Sequence, residues 1–133
     1  MSPTPTLRTL EGMRLLIVDD EGALREILAE EFESHGAIVT SAGDGRAALE
    51  LWRPDRFDAV LSDMRMPEID GLTLVRRARA AGDLRTPVLL CSGYNDIDDE
   101  ERRKLGIVEV FAKPFKVSEL LARVAQLRAP KRD

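Results

Sequence analysis

Short apolar runs alternate with longer amphipathic stretches along the chain. Leu15-Leu16-Ile17-Val18 is unbroken by polar residues and ends in Asp19-Asp20, which is how a strand covered on both faces reads. Leu24, Ile27, Leu28 and Phe32 follow at i, i+3, i+4 and i+8, one apolar face of a helix, and Gly36 behind His35 is its stop. Ala37-Ile38-Val39-Thr40 predicts a second strand. Asp44 is placed to cap a short helix carrying Ala48, Leu49 and Trp52. Phe57-Asp58-Ala59-Val60-Leu61 predicts a third strand running into Ser62-Asp63. Leu72, Val75 and Ala78 mark a third helix after Gly71. Pro87-Val88-Leu89-Leu90-Cys91 is a fourth strand with its proline at the tolerated first position.

A fourth helix is expected from near Asn95. Its Asp98/Arg102, Asp99/Arg103 and Glu100/Lys104 pairs run acid before base at i, i+4, an arrangement that supports an exposed helix. Ile107-Val108-Glu109-Val110-Phe111 is a fifth strand, and Leu120, Leu121, Val124 and Leu127 mark a fifth helix. Five strand–helix units in strict alternation predict an α/β fold, a parallel sheet with helices on both faces, its crossovers right-handed.

Composition narrows the function. The 133 residues suit one core, expected over 12–128 with loosely held ends at 1–11 and 129–133. With 44% hydrophobic and 33% charged residues the chain reads as an ordinary soluble protein. The net charge of −4, with both signs interspersed, argues for neither nucleic acid nor membrane as a partner. No apolar run spans a bilayer, and Met1–Thr6 lacks the apolar core of a signal peptide, so the cytoplasm is expected. The single cysteine, Cys91, forms no internal disulfide and reads as a small buried hydrophobe.

The polar residues at the predicted strand ends carry the chemistry. In a doubly wound sheet, ligands gather beyond the carboxyl ends of the strands. Strand one ends in Asp19-Asp20, strand three in Asp63 and strand four in Ser92, and Lys113 follows strand five. Three carboxylates in one place repel, and a divalent cation removes that penalty. Oxygen ligands in an incomplete cage favour Mg²⁺. Lys113 offers a compact positive charge to a phosphoryl group, Ser92 a hydroxyl donor, and a carboxylate is a competent nucleophile for an acyl phosphate. Each piece alone has a plain structural reading: Asp19-Asp20 as a cap, Ser92-Gly93 as a turn. Their co-occurrence gives the pattern its weight.

Four stretches, Ile17–Glu21, Ser62–Gly71, Cys91–Tyr94 and Ala112–Phe115, together resemble the receiver domain of bacterial two-component response regulators, of the chemotaxis-regulator kind. The likeness covers about residues 13–127. It implies a flavodoxin-like (βα)5 fold with strand order 2-1-3-4-5. It implies Asp63 as phosphoacceptor, with Ser92 and Lys113 contacting the phosphoryl group. Mg²⁺ would be held by Asp20 and Asp63, by Asp19 through water and by the Arg65 carbonyl, and the Lys113–Pro114 peptide would be cis. It further implies a sensor histidine kinase or histidine phosphotransfer protein as donor, and a downstream protein as reader. The domain would be a monomer or a phosphorylation-dependent dimer. It would not be an enzyme beyond catalysing its own phosphorylation and dephosphorylation.

Four positions depart from the family pattern or border the phosphoryl site. An aromatic residue often stands three places before the lysine; here Val110 does, and Phe111 faces the opposite side. Lys116 stands where a capping residue is common, with Ser118 as the next candidate. Arg65 and Tyr94, each two places beyond a phosphoryl-contacting residue, are expected to slow loss of the phosphoryl group. Two rival classes share the α/β pattern. An aspartyl-phosphate phosphohydrolase often has a second Asp where Arg65 stands. A flavin or nucleotide binder needs a glycine-rich phosphate loop after strand one, which this sequence lacks.

Overall fold

The computed structural model describes residues 9–93 and 97–128. The elements are β1 (Arg14–Val18), α1 (Gly22–Ser34), β2 (Ile38–Ala42), α2 (Gly45–Leu51), β3 (Ala59–Asp63), α3 (Gly71–Ala80), β4 (Val88–Ser92), α4 (Asp99–Leu105), β5 (Ile107–Ala112) and α5 (Val117–Gln126). The strands form one parallel sheet in the order β2-β1-β3-β4-β5. This is the flavodoxin-like arrangement, with the chain reversing its direction of travel across the sheet between β1 and β3.

The apolar pattern accounts for the order. Every residue of β3 and β4 is buried, because a central parallel strand is covered on both faces. The edge strand β2 keeps Ile38 and Ser41 exposed and carries more polar residues. Side chains alternate along each strand. Leu16, Val18, Val60, Val88 and Leu90 therefore pack with Trp52, Leu74 and Val75 on one face. Leu15, Ile17, Leu61 and Leu89 pack with Leu28, Phe32, Leu120 and Val124 on the other.

Several boundaries differ from expectation. β3 starts two residues later than the apolar run, and Asp58 instead accepts from the Arg14 N–H and guanidinium. Ile27 is 55% exposed rather than buried, so the buried stripe of α1 is Leu28 and Phe32. Leu10, expected in a loose leading end, is fully buried in the second core, its N–H donating to the His35 carbonyl at 2.9 Å. α4 begins at Asp99, with Asp98 at its cap position; Asn95 lies outside the described residues. Lys116 holds the N-cap position of α5 without a side-chain bond, and Ser118 lies inside the helix.

Candidate functional site

Sheet register brings the strand ends to one line. Val18 pairs with Ser62, Asp63 with Cys91 and Ser92 with Ala112. Asp19 and Lys113 each follow a paired residue by one step. Asp63 continues the row of Ala59 and Leu61, Asp19 that of Leu15 and Ile17, and Lys113 that of Phe111. All these apolar residues belong to the same core. Period-two alternation thus aims Asp19, Asp63 and Lys113 to one side of the sheet end, with Ser92 on the opposite row.

The geometry agrees. One carboxylate oxygen from each of Asp19, Asp20 and Asp63 lies within 4.8 Å of the others. Lys113 Nζ is 2.9 Å from Asp63 Oδ1. Asp19 and Asp63 are buried and Asp20 is exposed, so the pocket has a dry floor and a wet rim. Main-chain bonds lock its frame. The Lys113 N–H donates to the Ser92 carbonyl at 3.0 Å, the Met64 N–H to the Cys91 carbonyl at 2.8 Å, and the Asp19 N–H to the Ala42 carbonyl at 3.2 Å. The Lys113–Pro114 peptide is cis.

The helix after Asp63 is seated by a glycine. A Cβ at Gly71 would lie 2.6 Å from the Asp63 carbonyl oxygen, closer than real contacts, and the Gly71 N–H donates to the Met64 carbonyl at 2.8 Å. Asp70 caps α3 by accepting from the Thr73 N–H at 2.8 Å. Between them and Asp63, Met64, Met66 and Ile69 turn into the core, leaving Arg65 exposed beside the pocket. Tyr94 lies outside the described residues.

Electrostatics follow from this crowding. Burial, then the charges of Asp63 and Asp20, push the Asp19 carboxyl above its ordinary pKa, against the opposing pull of the Glu21 N–H and Lys113. Burial alone would lower Lys113, but its bond to Asp63 and the charges of Asp63 and Asp19 hold its ammonium above the usual value. Cys91, beneath the carboxylates, is pushed up to about 12 by burial and then by Asp63, which leaves its thiol unreactive. Like charges this close favour a divalent cation, and an all-oxygen trio open on one side fits Mg²⁺ by its donor chemistry.

Val110 and Phe111 divide as their parity requires. Val110 is half-buried against the α2–α3–α4 side, while Phe111 is buried in the α1–α5 core. Sequence reasoning did not single out Arg25, whose Nη1 donates to the Asp19 carbonyl at 2.7 Å. A lone arginine on an amphipathic helix carries no pattern that marks such a contact.

Residues 15–125 match the family model described as "Response regulator receiver domain". The chain is 39% identical over 116 residues to "Response regulator MprA" of Mycolicibacterium vanbaalenii, covering 86% of this chain and 50% of that protein. Among solved structures it resembles the chemotaxis protein CheY4 of Vibrio cholerae, with TM-score 0.79, 28% identity and coverage of 88% and 99% of the two chains. It also resembles the receiver domain of the sensor histidine kinase PA1611 of Pseudomonas aeruginosa, with TM-score 0.75, 30% identity and coverage of 87% and 97%. That structure holds a magnesium ion in its active-site cleft. The chain spans about half the length of the MprA relatives it matches.

Proposed function

The chain belongs to the response regulator receiver family, and from that premise we propose that it is a phosphoacceptor switch in a two-component phosphorelay, modified on Asp63. The observation that carries the reading is the Lys113 Nζ to Asp63 Oδ1 contact at 2.9 Å, set against the Asp19–Asp20–Asp63 cluster.

Asp63 is the nucleophile. One of its oxygens attacks the phosphorus of a phosphohistidine on a sensor kinase or histidine phosphotransfer protein. An O–P bond forms and the P–N bond breaks, its electron pair leaving with the imidazole, which takes up a proton. Such transfers need in-line positioning and neutralised charge more than acid–base groups. Asp19, Asp20 and Asp63, with the Arg65 carbonyl, would hold Mg²⁺, which supplies charge neutralisation and orients the incoming phosphoryl oxygens. Lys113 then transfers its hydrogen bond from Asp63 to a phosphoryl oxygen, and the Ser92 hydroxyl donates to another.

These contacts exist only after transfer, so they stabilise one arrangement of the α4–β5–α5 face over the other. Val110 replaces the usual aromatic there, so Ser92 and the backbone of β5 carry the signal. A downstream protein, or a second phosphorylated copy, reads the face. The chain turns over no substrate beyond its own phosphorylation and dephosphorylation. We place its action in the cytoplasm, a compartment that suits the lone buried thiol of Cys91.

Intact mass after incubation with a small phosphodonor tests the reading. The wild type is expected to gain one phosphoryl group with Mg²⁺ and none with chelator, and Asp63→Asn to gain none in either condition. A gain that persists in Asp63→Asn, or that ignores Mg²⁺, contradicts it.

A further inference from the structure

Asp19 is fixed by three hydrogen bonds, one of them from the side chain of Arg25. Its N–H donates to the Ala42 carbonyl at 3.2 Å. Its Oδ1 accepts from the Glu21 N–H at 2.8 Å. Its carbonyl accepts from Arg25 Nη1 at 2.7 Å. Arg25 projects from α1, is half-buried, and reaches across to the turn between β2 and α2. Gly43 stands there: a Cβ at that position would meet Nη1 at 3.2 Å and Cζ at 3.6 Å. The φ of Gly43 is outside the left-handed region, so glycine is needed here for room and not for its torsion freedom.

We propose that Arg25 is a positioning residue for the divalent-cation site. It holds the Asp19 carboxylate in register with Asp20 and Asp63 through the Asp19 main chain, and Gly43 is the seat that admits its guanidinium. This rests on the cation reading of the pocket given above. Asp19 lies one residue beyond β1, where the ladder to β3 has ended, so its carbonyl has no partner strand. Without Arg25, Asp19 keeps the Ala42 bond to its N–H and the Glu21 bond to its side chain, and the carbonyl of the Asp19–Asp20 peptide loses the guanidinium that orients it. Arg25 meets Asp19 at its main-chain carbonyl, at 2.7 Å. Groups that orient metal ligands from behind are worth roughly 10–100-fold in metal affinity.

The test is calorimetric titration of Mg²⁺ into wild type, Arg25→Ala, Arg25→Lys, Gly43→Ala and the Arg25→Ala/Gly43→Ala double variant, with metal-free melting curves as a check on folding. Arg25→Ala is expected to weaken Mg²⁺ binding by roughly tenfold or more while melting near the wild type, and Arg25→Lys, which retains a donor, to recover most of the loss. Gly43→Ala is expected to weaken binding only when Arg25 is present, since its methyl group displaces nothing once the guanidinium is gone. Unchanged affinity in Arg25→Ala overturns the proposal. If that variant does not fold, a Gly43→Ala loss that is present with Arg25 and shrinks in the Arg25→Lys background supports it, and an equal loss in both backgrounds, or unchanged affinity in Gly43→Ala, overturns it. A wild type that binds no Mg²⁺ fails differently, taking down the cation reading itself.

Discussion

Asp19 places a carboxylate at 4% exposure beside Asp63 and Asp20. Its pKa is raised in the fold, by burial first and then by those neighbours. A carboxyl raised on folding favours the folded state below its unfolded pKa and loses that contribution as pH rises through the folded value. At neutral pH the metal-free protein therefore carries a cost at this residue. Asp19→Asn is expected to melt higher than wild type without metal, and to lose the stabilisation that Mg²⁺ gives the wild type, about 2.7 kcal/mol at a hundredfold excess over Kd. Thermal melts with and without Mg²⁺ check this, and a variant that melts lower in chelator contradicts it. Asp83 has the opposite sign. Burial would raise it, but bonds from Thr86, the Arg85 N–H and Trp52 Nε1 hold it below the ordinary value. Its contribution is present above the unfolded pKa, near 3.9, and fades as pH falls through the folded one. Asp83→Asn is expected to lose stability at pH 7 and to show a shallower acid limb in a melting-temperature profile from pH 3 to 7.

At the scale of the element, α4 stands apart because none of its residues is buried. Arginines from α3 hold it instead. Arg79 Nε donates to the Leu105 carbonyl at 2.8 Å, Nη2 to the Thr86 carbonyl at 2.7 Å and Nη1 to the Asp83 carbonyl at 3.0 Å. Arg76 pairs with Glu101 nearer the surface. Arg79→Ala leaves buried acceptors unpaired and is expected to cost about 2–4 kcal/mol in urea unfolding. Arg76→Ala, at an exposed pair, is expected to cost no more than about 1 kcal/mol; equal costs would contradict this division of labour. The cap of α2 was legible because Asp44 acts on a residue three places ahead; Asp70, which caps α3 in the same way, was not singled out. The anchoring of α4 was not, since Arg79 reaches residues up to 26 places away and its own surroundings in the sequence are unremarkable. The acid–base pairs read along α4 do not close as ion pairs among the described residues; Glu101 turns to Arg76. Ile27 sat on a plausible apolar stripe but faces out, because the buried arc of α1 is narrower than its apolar one.

Across the whole molecule, the strand order places four strand ends in a line and brings residues from 19 to 113 into one pocket. The apolar runs and their alternation with helices were enough to read the layers, because burial on both faces leaves an unbroken apolar signature. The pocket was legible because its members are polar residues at the ends of such runs, where a core strand has no use for them. Arg25 and Gly43 were not, because one is an ordinary helix arginine and the other an ordinary turn glycine until the fold brings the guanidinium within 3.2 Å of where a Cβ on Gly43 would lie. The account turns on Asp63 as the atom donor in an acyl phosphate. Borohydride reduction of the phosphodonor-treated protein, followed by peptide mass mapping, reads that bond directly, since reduction of an aspartyl phosphate leaves homoserine in its place. Homoserine at position 63 alone is expected; homoserine at 19 or 20, or a phosphoryl group that survives reduction on Ser92, would contradict it.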